Sequence, residues 1–244
     1  MIEIRNLRKS FDGRTVLDGI DLDIPDGKTV VIAGCSGCGK TVLLRSIIGL
    51  VKPDAGSIRI DGQDITAMDQ AALFKTRQKF GMLFQGAALF DSMTVEENVG
   101  LGLKEHTDLS RDEIRQAVKR SLRLVGLRNV EDKHPSELSG GMKKRVGLAR
   151  ALVMEPRYVL YDEPTTGLDP IMSEQINRLI LRTHERLGVT SIVVTHDMHS
   201  AFMVGDVMAM IVEGRVVFHG GVEEFKRSAH PVVNKFATLQ SGGA

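Results

Sequence analysis

The stretch Thr29-Val30-Val31-Ile32-Ala33-Gly34-Cys35-Ser36-Gly37-Cys38-Gly39-Lys40-Thr41-Val42-Leu43 decides the reading of the fold. Its first five residues form an apolar run of strand length. The next eight match G-x-x-x-x-G-K-[ST]. Val42, Leu43, Ile47 and Ile48 then recur at helical spacing. Strand, glycine-rich turn and helix in direct succession are the context in which this pattern cradles phosphates. The glycines let main-chain N–H groups turn inward, and the helix N-terminus adds its dipole. Lys40 is expected to reach the β- and γ-phosphates, and Thr41 to hold Mg2+. A plain glycine-rich turn is the competing reading of this motif taken alone.

Working outward, Tyr158-Val159-Leu160-Tyr161 is a second apolar strand, and it ends in Asp162-Glu163. A carboxylate at the end of such a strand is the usual partner of a phosphate loop, where it orders Mg2+ and its waters. Glu163 falls on the same rim and can polarise an attacking water. A solvated acidic turn is the bland alternative. Ser191 to Val194 is a third apolar strand. Strands of this kind, each followed by a helical pattern, predict a parallel sheet buried on both faces. Ile20, Leu22 and Ile24 alternate with Asp21 and Asp23, and Ser57 to Ile60 alternates before an Asp61-Gly62 turn, so the first quarter also reads as β.

The middle of the chain is helical. Ser110 and Glu113 form a capping box, Ile114, Val118, Leu122 and Val125 share a face, and Gly126 is placed to end the helix. A further helix is expected from Ser139 to Glu155, stopping at Pro156. The plan is a single α/β domain over 1–244. Its core lobe spans 1–85 and 157–225, its helical lobe 86–156, and a helical cap covers 222–239. Ser241 to Ala244 is expected to fray.

The 244 residues are enough to bury a proper core, and 26% charged residues with 42% hydrophobic ones exclude a disordered chain. No apolar run approaches the ~18 residues of a membrane span, and Met1-Ile2-Glu3-Ile4-Arg5 does not read as a secretory leader. The net charge of +1 argues against a nucleic-acid partner, and two cysteines fit a reducing cytoplasm.

Leu138-Ser139-Gly140-Gly141-Met142 opens the last of these helices. Ser139 is a good N-cap. Two glycines in a first turn weaken a helix, yet they suit a close approach of phosphate to the backbone. The chain thus carries two anion-binding helix starts.

Together these features resemble the ATPase subunits of ABC transporters, P-loop NTPases with an antiparallel β subdomain and a helical subdomain. The likeness runs over nearly the whole chain and in the family's order. Gly34 to Thr41 resembles Walker A, Tyr158 to Glu163 resembles Walker B, and Leu138 to Met142 resembles the signature. Gln85 falls at the Q-loop, Gly167-Leu168-Asp169 at the D-loop, His196 at the switch histidine and Phe11 at the adenine-stacking aromatic. Two departures stand out: Phe11 where Tyr is commoner, and Met142 where Gln is usual. Within the family, Gly86 to Val99, Glu105-His106-Thr107 and Pro135 to Arg145 are similar to the ATPases of Mla and Mce-type lipid transporters, which often carry Met after the two glycines.

The resemblance implies ATP and Mg2+ as ligands. It implies nucleotide contacts from Phe11, Gly34, Cys35, Ser36, Gly37, Cys38, Gly39, Lys40, Thr41, Val42, Gln85, Asp162, Glu163, Asp169 and His196, and from Ser139, Gly140 and Gly141 of a second copy. Thr41, Gln85 and Asp162 are the implied metal-side residues; Glu163, His196, Gln85 and Lys40 are the implied catalytic set. It further implies a homodimer on ATP binding, a separate transmembrane permease, an Mce-domain partner, phospholipid as cargo and a place on the cytoplasmic face of the inner membrane. An ABC ATPase of another transporter, or a soluble assembly factor of the same family, is the alternative.

Three other features have bland readings. Cys35-x-x-Cys38 reads as variable loop positions rather than a redox or metal pair. His199, three residues from His196, reads as a surface histidine. Lys143-Lys144-Arg145 reads as a solvated helix face. Leu89, Phe90 and Met93, after Gln85, are expected to line a permease-docking groove, or else to fold under as a small satellite core.

Overall fold

The computed structural model describes residues 1–239. The chain runs β1 (Ile2–Phe11), β2 (Arg14–Ile24), β3 (Thr29–Ala33), α1 (Lys40–Ile47), β4 (Ala55–Ile60), β5 (Gln63–Asp64), α2 (Gln70–Arg77) and β6 (Phe80–Leu83). Three helices follow: α3 (Val95–His106), α4 (Arg111–Leu124) and α5 (Gly140–Leu152). The chain then returns through β7 (Tyr158–Asp162), α6 (Pro170–Leu187), β8 (Thr190–Thr195), α7 (Met198–Val204), β9 (Val207–Val212) and β10 (Arg215–Gly221). It closes with α8 (Val222–Lys226) and α9 (Pro231–Leu239).

The strands make two sheets. One is antiparallel, in the order β2-β1-β4-β5; the other has the order β10-β9-β3-β8-β7-β6. In the second, β9, β3, β8, β7 and β6 are mutually parallel, and β10 returns antiparallel on β9. Successive side chains of a strand point to opposite faces, and the core divides accordingly. Val30, Ile32, Leu160, Ile192, Val194 and Ile211 pack with α1 and the antiparallel sheet. Val31, Ala33, Val159, Tyr161, Val193 and Met210 pack with the helices. Burial on both faces is why these strands read as unbroken apolar runs.

The Asp61-Gly62 turn joins β4 to β5 with φ +52 and +79 at its two central residues, as a tight hairpin of twisted strands requires. The α4 capping box forms as its sequence predicts, and a second one, Thr94 with Glu97, starts α3. The last expected helix begins at its Ser139 cap but stops at Leu152, three residues before Glu155. Pro156 disfavours the right-handed helix at the residue before it, and Glu155 leaves the helix with φ +51. The segment 222–239, expected as a helical cap, is built of two helices, α8 and α9. Pro231 cannot continue a preceding helix and instead opens α9. The expectation for Ser241 to Ala244 lies outside the described residues. Among the described residues no helix is long and apolar enough to cross a membrane.

Candidate functional site

β3 delivers the chain to the phosphate loop at the C-terminal edge of the parallel sheet, where such sheets place their ligands. Gly34 leaves the strand pressed against β9: a Cβ there would stand 2.4 Å from the Ile211 carbonyl oxygen. Lys40, at the first turn of α1, is buried. Its Nζ donates to the carbonyls of Gly34 (2.8 Å) and Cys35 (2.9 Å) and lies 3.8 Å from Glu163 Oε1. Thr41 Oγ1 donates to Asp162 Oδ1 at 3.0 Å, tying the start of α1 to the end of β7. Burial, and then the neighbouring Glu163, raise the Asp162 carboxyl above its ordinary value; the Thr41 bond and the charges of Arg45 and Lys40 oppose this.

Glu163 has φ +48, a left-handed conformation that costs a non-glycine residue on the order of 1–3 kcal/mol. Its surroundings impose it. The Glu163 N–H donates to Val194 O at 2.9 Å. The carboxylate Oε2 accepts from Thr166 Oγ1 at 3.1 Å and lies 2.8 Å from His196 Nδ1.

Around these groups lies a cleft of about 430 Å³, lined by Val16, Ser36, Gly37, Gly39, Lys40, Thr41, Val42, Gln85, Glu163, Thr166 and His196. Nine of these eleven are residues the sequence singles out, and Asp162 sits one hydrogen bond behind Thr41. Val16 and Thr166 were not singled out. Thr166 stands three residues past Glu163, and a hydroxyl so close to a candidate base was a usable signal. Val16 comes from β2, and nothing in its local sequence marks it.

The other sequence-predicted residues lie elsewhere. Gly34, Cys35 and Cys38 belong to the loop but not to the cleft wall. Both cysteines are free, and burial raises the Cys38 thiol. Phe11 is exposed at the end of β1, with Lys9 Nζ 5.2 Å from its ring centre, and does not line the cleft. Asp169 caps α6 by accepting from Met172 N at 2.9 Å. Ser139 caps α5 by accepting from Met142 N at 3.3 Å, and neither it nor the two glycines reaches the cleft. The two glycines also differ. A Cβ on Gly141 would fall 1.9 Å from Met172 Cε, the movable end of a flexible side chain on α6. A Cβ on Gly140 would meet only Leu168 Cδ2, at an ordinary contact distance of 3.8 Å.

Lys144 departs most from its sequence reading. It is not part of a solvated face but buried, donating from α5 to the carbonyls of Gln85 and Glu163. His199 pairs at 3.5 Å with Glu174, away from the cleft.

The site has recognisable counterparts. The sequence model of the ABC transporter family matches residues 17–166. The chain is 44% identical over 235 residues to the probable ribonucleotide transport ATP-binding protein mkl of Mycobacterium leprae, covering 96% of this chain and 68% of that one. It is 40% identical over 243 residues to the intermembrane phospholipid transport system ATP-binding protein MlaF of Haemophilus influenzae, covering 100% of this chain and 92% of that one. Among solved structures, it resembles a dimeric ATP-binding cassette in a post-hydrolysis state bound to ADP and Pi. That likeness has a TM-score of 0.85 at 33% identity, over 91% of this chain and 99% of the other. Phosphate loop, strand-end carboxylates and sequence kinship agree, and the chain belongs to the ABC transporter family as an ATPase domain.

Proposed function

We propose that this ABC ATPase drives phospholipid transport through a separate membrane permease, and that Glu163 activates the water that cleaves ATP. The observation that carries the catalytic part is the cluster around Glu163. Its carboxylate lies in one cleft with Lys40 and His196, beside the Thr41–Asp162 pair.

The residues fit a magnesium nucleotide. Thr41 and Asp162 offer a hydroxyl and a carboxylate 3.0 Å apart, with Gln85 on the same wall. Among the described residues no cluster of three or more His, Cys, Asp or Glu side chains could hold a metal alone, so these oxygens would share the ion with substrate phosphates. Mg2+ so held would neutralise charge on those phosphates. Lys40 holds the phosphate-loop carbonyls and supplies positive charge at the cleft floor. Glu163 takes the proton of the attacking water, and His196 holds Glu163 in place and steadies charge on the phosphate. The N-terminus of α5, with Ser139 and Gly140, serves the nucleotide of a second copy, since in its own chain it stays off the cleft wall. The dimeric state of the solved cassette supports this arrangement.

Phospholipid cargo, a permease, an Mce-domain partner and a station on the cytoplasmic face of the inner membrane are the finer reading. It rests on the likeness to the MlaF proteins and on the Gly86 to Val99 stretch. The docking surface is proposed on the groove next to that segment. Leu89 is half-buried against the helical core and Phe90 is exposed, and neither they nor Met93 belong to the apolar groove nearby. That groove, of about 380 Å³, is walled by Phe74, Met82, Phe84, His106 and Met154, and it is where the permease is proposed to dock.

Glu163→Gln keeps the shape of the side chain and removes the base. Phosphate release is expected to fall by a factor of roughly 10² to 10⁴ while ATP affinity holds; a wild-type rate removes Glu163 from the role. Co-purification from detergent extracts, followed by lipid transfer in reconstituted vesicles, tests the cargo. Ribonucleotide transport instead would favour the mkl-like reading. Purification without any membrane protein would favour the assembly factor.

A further inference from the structure

Lys144 is 5% exposed. Burying an ammonium is costly unless it is paired and hydrogen-bonded; burial lowers the pKa of Lys144, and the nearby charges of Asp162 and Glu163 oppose this without a close ion pair among the described residues. Its Nζ donates to two main-chain carbonyls, that of Gln85 and, at 3.3 Å, that of Glu163. Those carbonyls belong to the segments that follow β6 and β7, neighbouring parallel strands. The lysine itself comes from the second turn of α5, whose first residue follows the Ser139 cap. One cation therefore ties the signature-like helix to two turns at the sheet edge. An apolar side chain would fill the same space without the desolvation cost, so packing alone does not account for a lysine here.

Glu163 supplies the reason for a tie at this point. Its φ of +48 is a strained conformation, and strained residues persist only where the surroundings over-determine them. The Glu163 N–H is held by Val194 O at 2.9 Å, and its carbonyl is held by Lys144. With both ends of the residue fixed, the carboxylate is aimed between Lys40 and His196.

We infer that Lys144 is a positioning residue for ATP hydrolysis: its ammonium fixes the Glu163 main chain, and thereby the carboxylate, and links it to Gln85 and to the first turns of α5. This rests on the reading of Glu163 given above. It predicts a loss of turnover without a loss of nucleotide binding, because Lys144 does not line the cleft.

The test uses the full chain with ATP and Mg2+. Lys144→Met replaces the ammonium by an apolar side chain of similar length. It is expected to lower kcat about tenfold or more with KM and ATP affinity within about threefold of wild type. The melting temperature of the nucleotide-free protein should change little, because the two carbonyls lose their donor while the desolvation cost of the buried ammonium is removed. Lys144→Arg, which can still donate to both carbonyls, should restore most of the rate. In a Glu163→Gln background, Lys144→Met should cost nothing further in single-turnover rate, because both changes disable one group. If Lys144→Met does not fold, the same comparisons are read from Lys144→Gln. A wild-type kcat, an additive loss in the double variant, or a loss that tracks melting temperature and is not rescued by arginine overturns the inference. A Glu163→Gln protein that hydrolyses normally brings down the reading of Glu163 itself. An inactive Glu163→Gln beside a fully active Lys144→Met brings down only the role of Lys144.

Discussion

The Lys40 ammonium lies beneath the phosphate loop with the carbonyls of Gly34 and Cys35 as its acceptors, at 2.8 and 2.9 Å. Its charge therefore serves the loop as well as any phosphate above it. Lys40→Ala should cost both. ATP affinity should fall by more than about tenfold, and the nucleotide-free protein should lose on the order of 1–3 kcal/mol, because two loop carbonyls are left without their donor. Calorimetric titration and urea unfolding of the same variant check the two effects; unchanged ATP affinity would contradict the first. What could be read at this scale depended on distance along the chain. Gly34 to Thr41 is contiguous and its chemistry is local, so its role was legible. Asp162 and Glu163 were legible because they close an unbroken apolar run of strand length. Lys144 was not legible. Its neighbours in sequence are charged, and only packing against segments about 20 and 60 residues away buries it. The neighbour of Gly141 was not legible either, since the atom closest to a side chain there is on Met172, one helix away.

At the scale of elements, α5 is the part with two tasks. Its N-terminus carries Ser139 and Gly140, and its body packs Val146, Leu148, Ala149 and Leu152 into the helical core. Ser139→Arg separates these tasks. It removes the cap hydrogen bond to Met142, worth about 1 kcal/mol, and puts a bulky cation where the second copy's nucleotide is proposed to sit. The chain's own cleft is untouched, so equilibrium ATP binding to the monomer should hold while steady-state hydrolysis is lost. Equal losses of binding and hydrolysis would speak against a shared site. Strand and helix types were legible where period and capping agreed, as in β3, β7 and α4. The end of α5 and the break between α8 and α9 were set by Pro156 and Pro231, whose effect on the preceding residues a face pattern does not show. β9 and β10 went unread because they complete the sheet through long-range pairing with β3 and with each other.

Across the whole molecule, the two sheets are clamped where Asp61 leaves β4. Tyr158 Oη donates to Asp61 at 2.6 Å, Lys79 Nζ donates at 2.8 Å, and Arg157 lies 3.3 Å away. Partial burial works against ionisation of Asp61, but the bonds from Lys79 and Tyr158 and the charges of Lys79 and Arg157 prevail and hold its carboxyl at about 2. A carboxyl depressed in the folded state stabilises it above the ordinary carboxylate value of 3.8, and that contribution is lost as pH falls from there toward about 2. The shift corresponds to about 2 kcal/mol. Asp61→Asn should therefore lose about that much stability at neutral pH, and its deficit against wild type should shrink below about pH 4. Urea unfolding across that range checks the sign; a deficit that grows on acidification would contradict it.

The same scale holds the central claim, that ATP is hydrolysed at a site completed by a second copy and fired by Glu163. Light scattering of Glu163→Gln with and without ATP and Mg2+ tests it most directly. The expected result is a single-chain mass without nucleotide and twice that mass with ATP, abolished by adding Ser139→Arg. A variant that stays monomeric with ATP bound, or that pairs equally well with Ser139→Arg present, would contradict it.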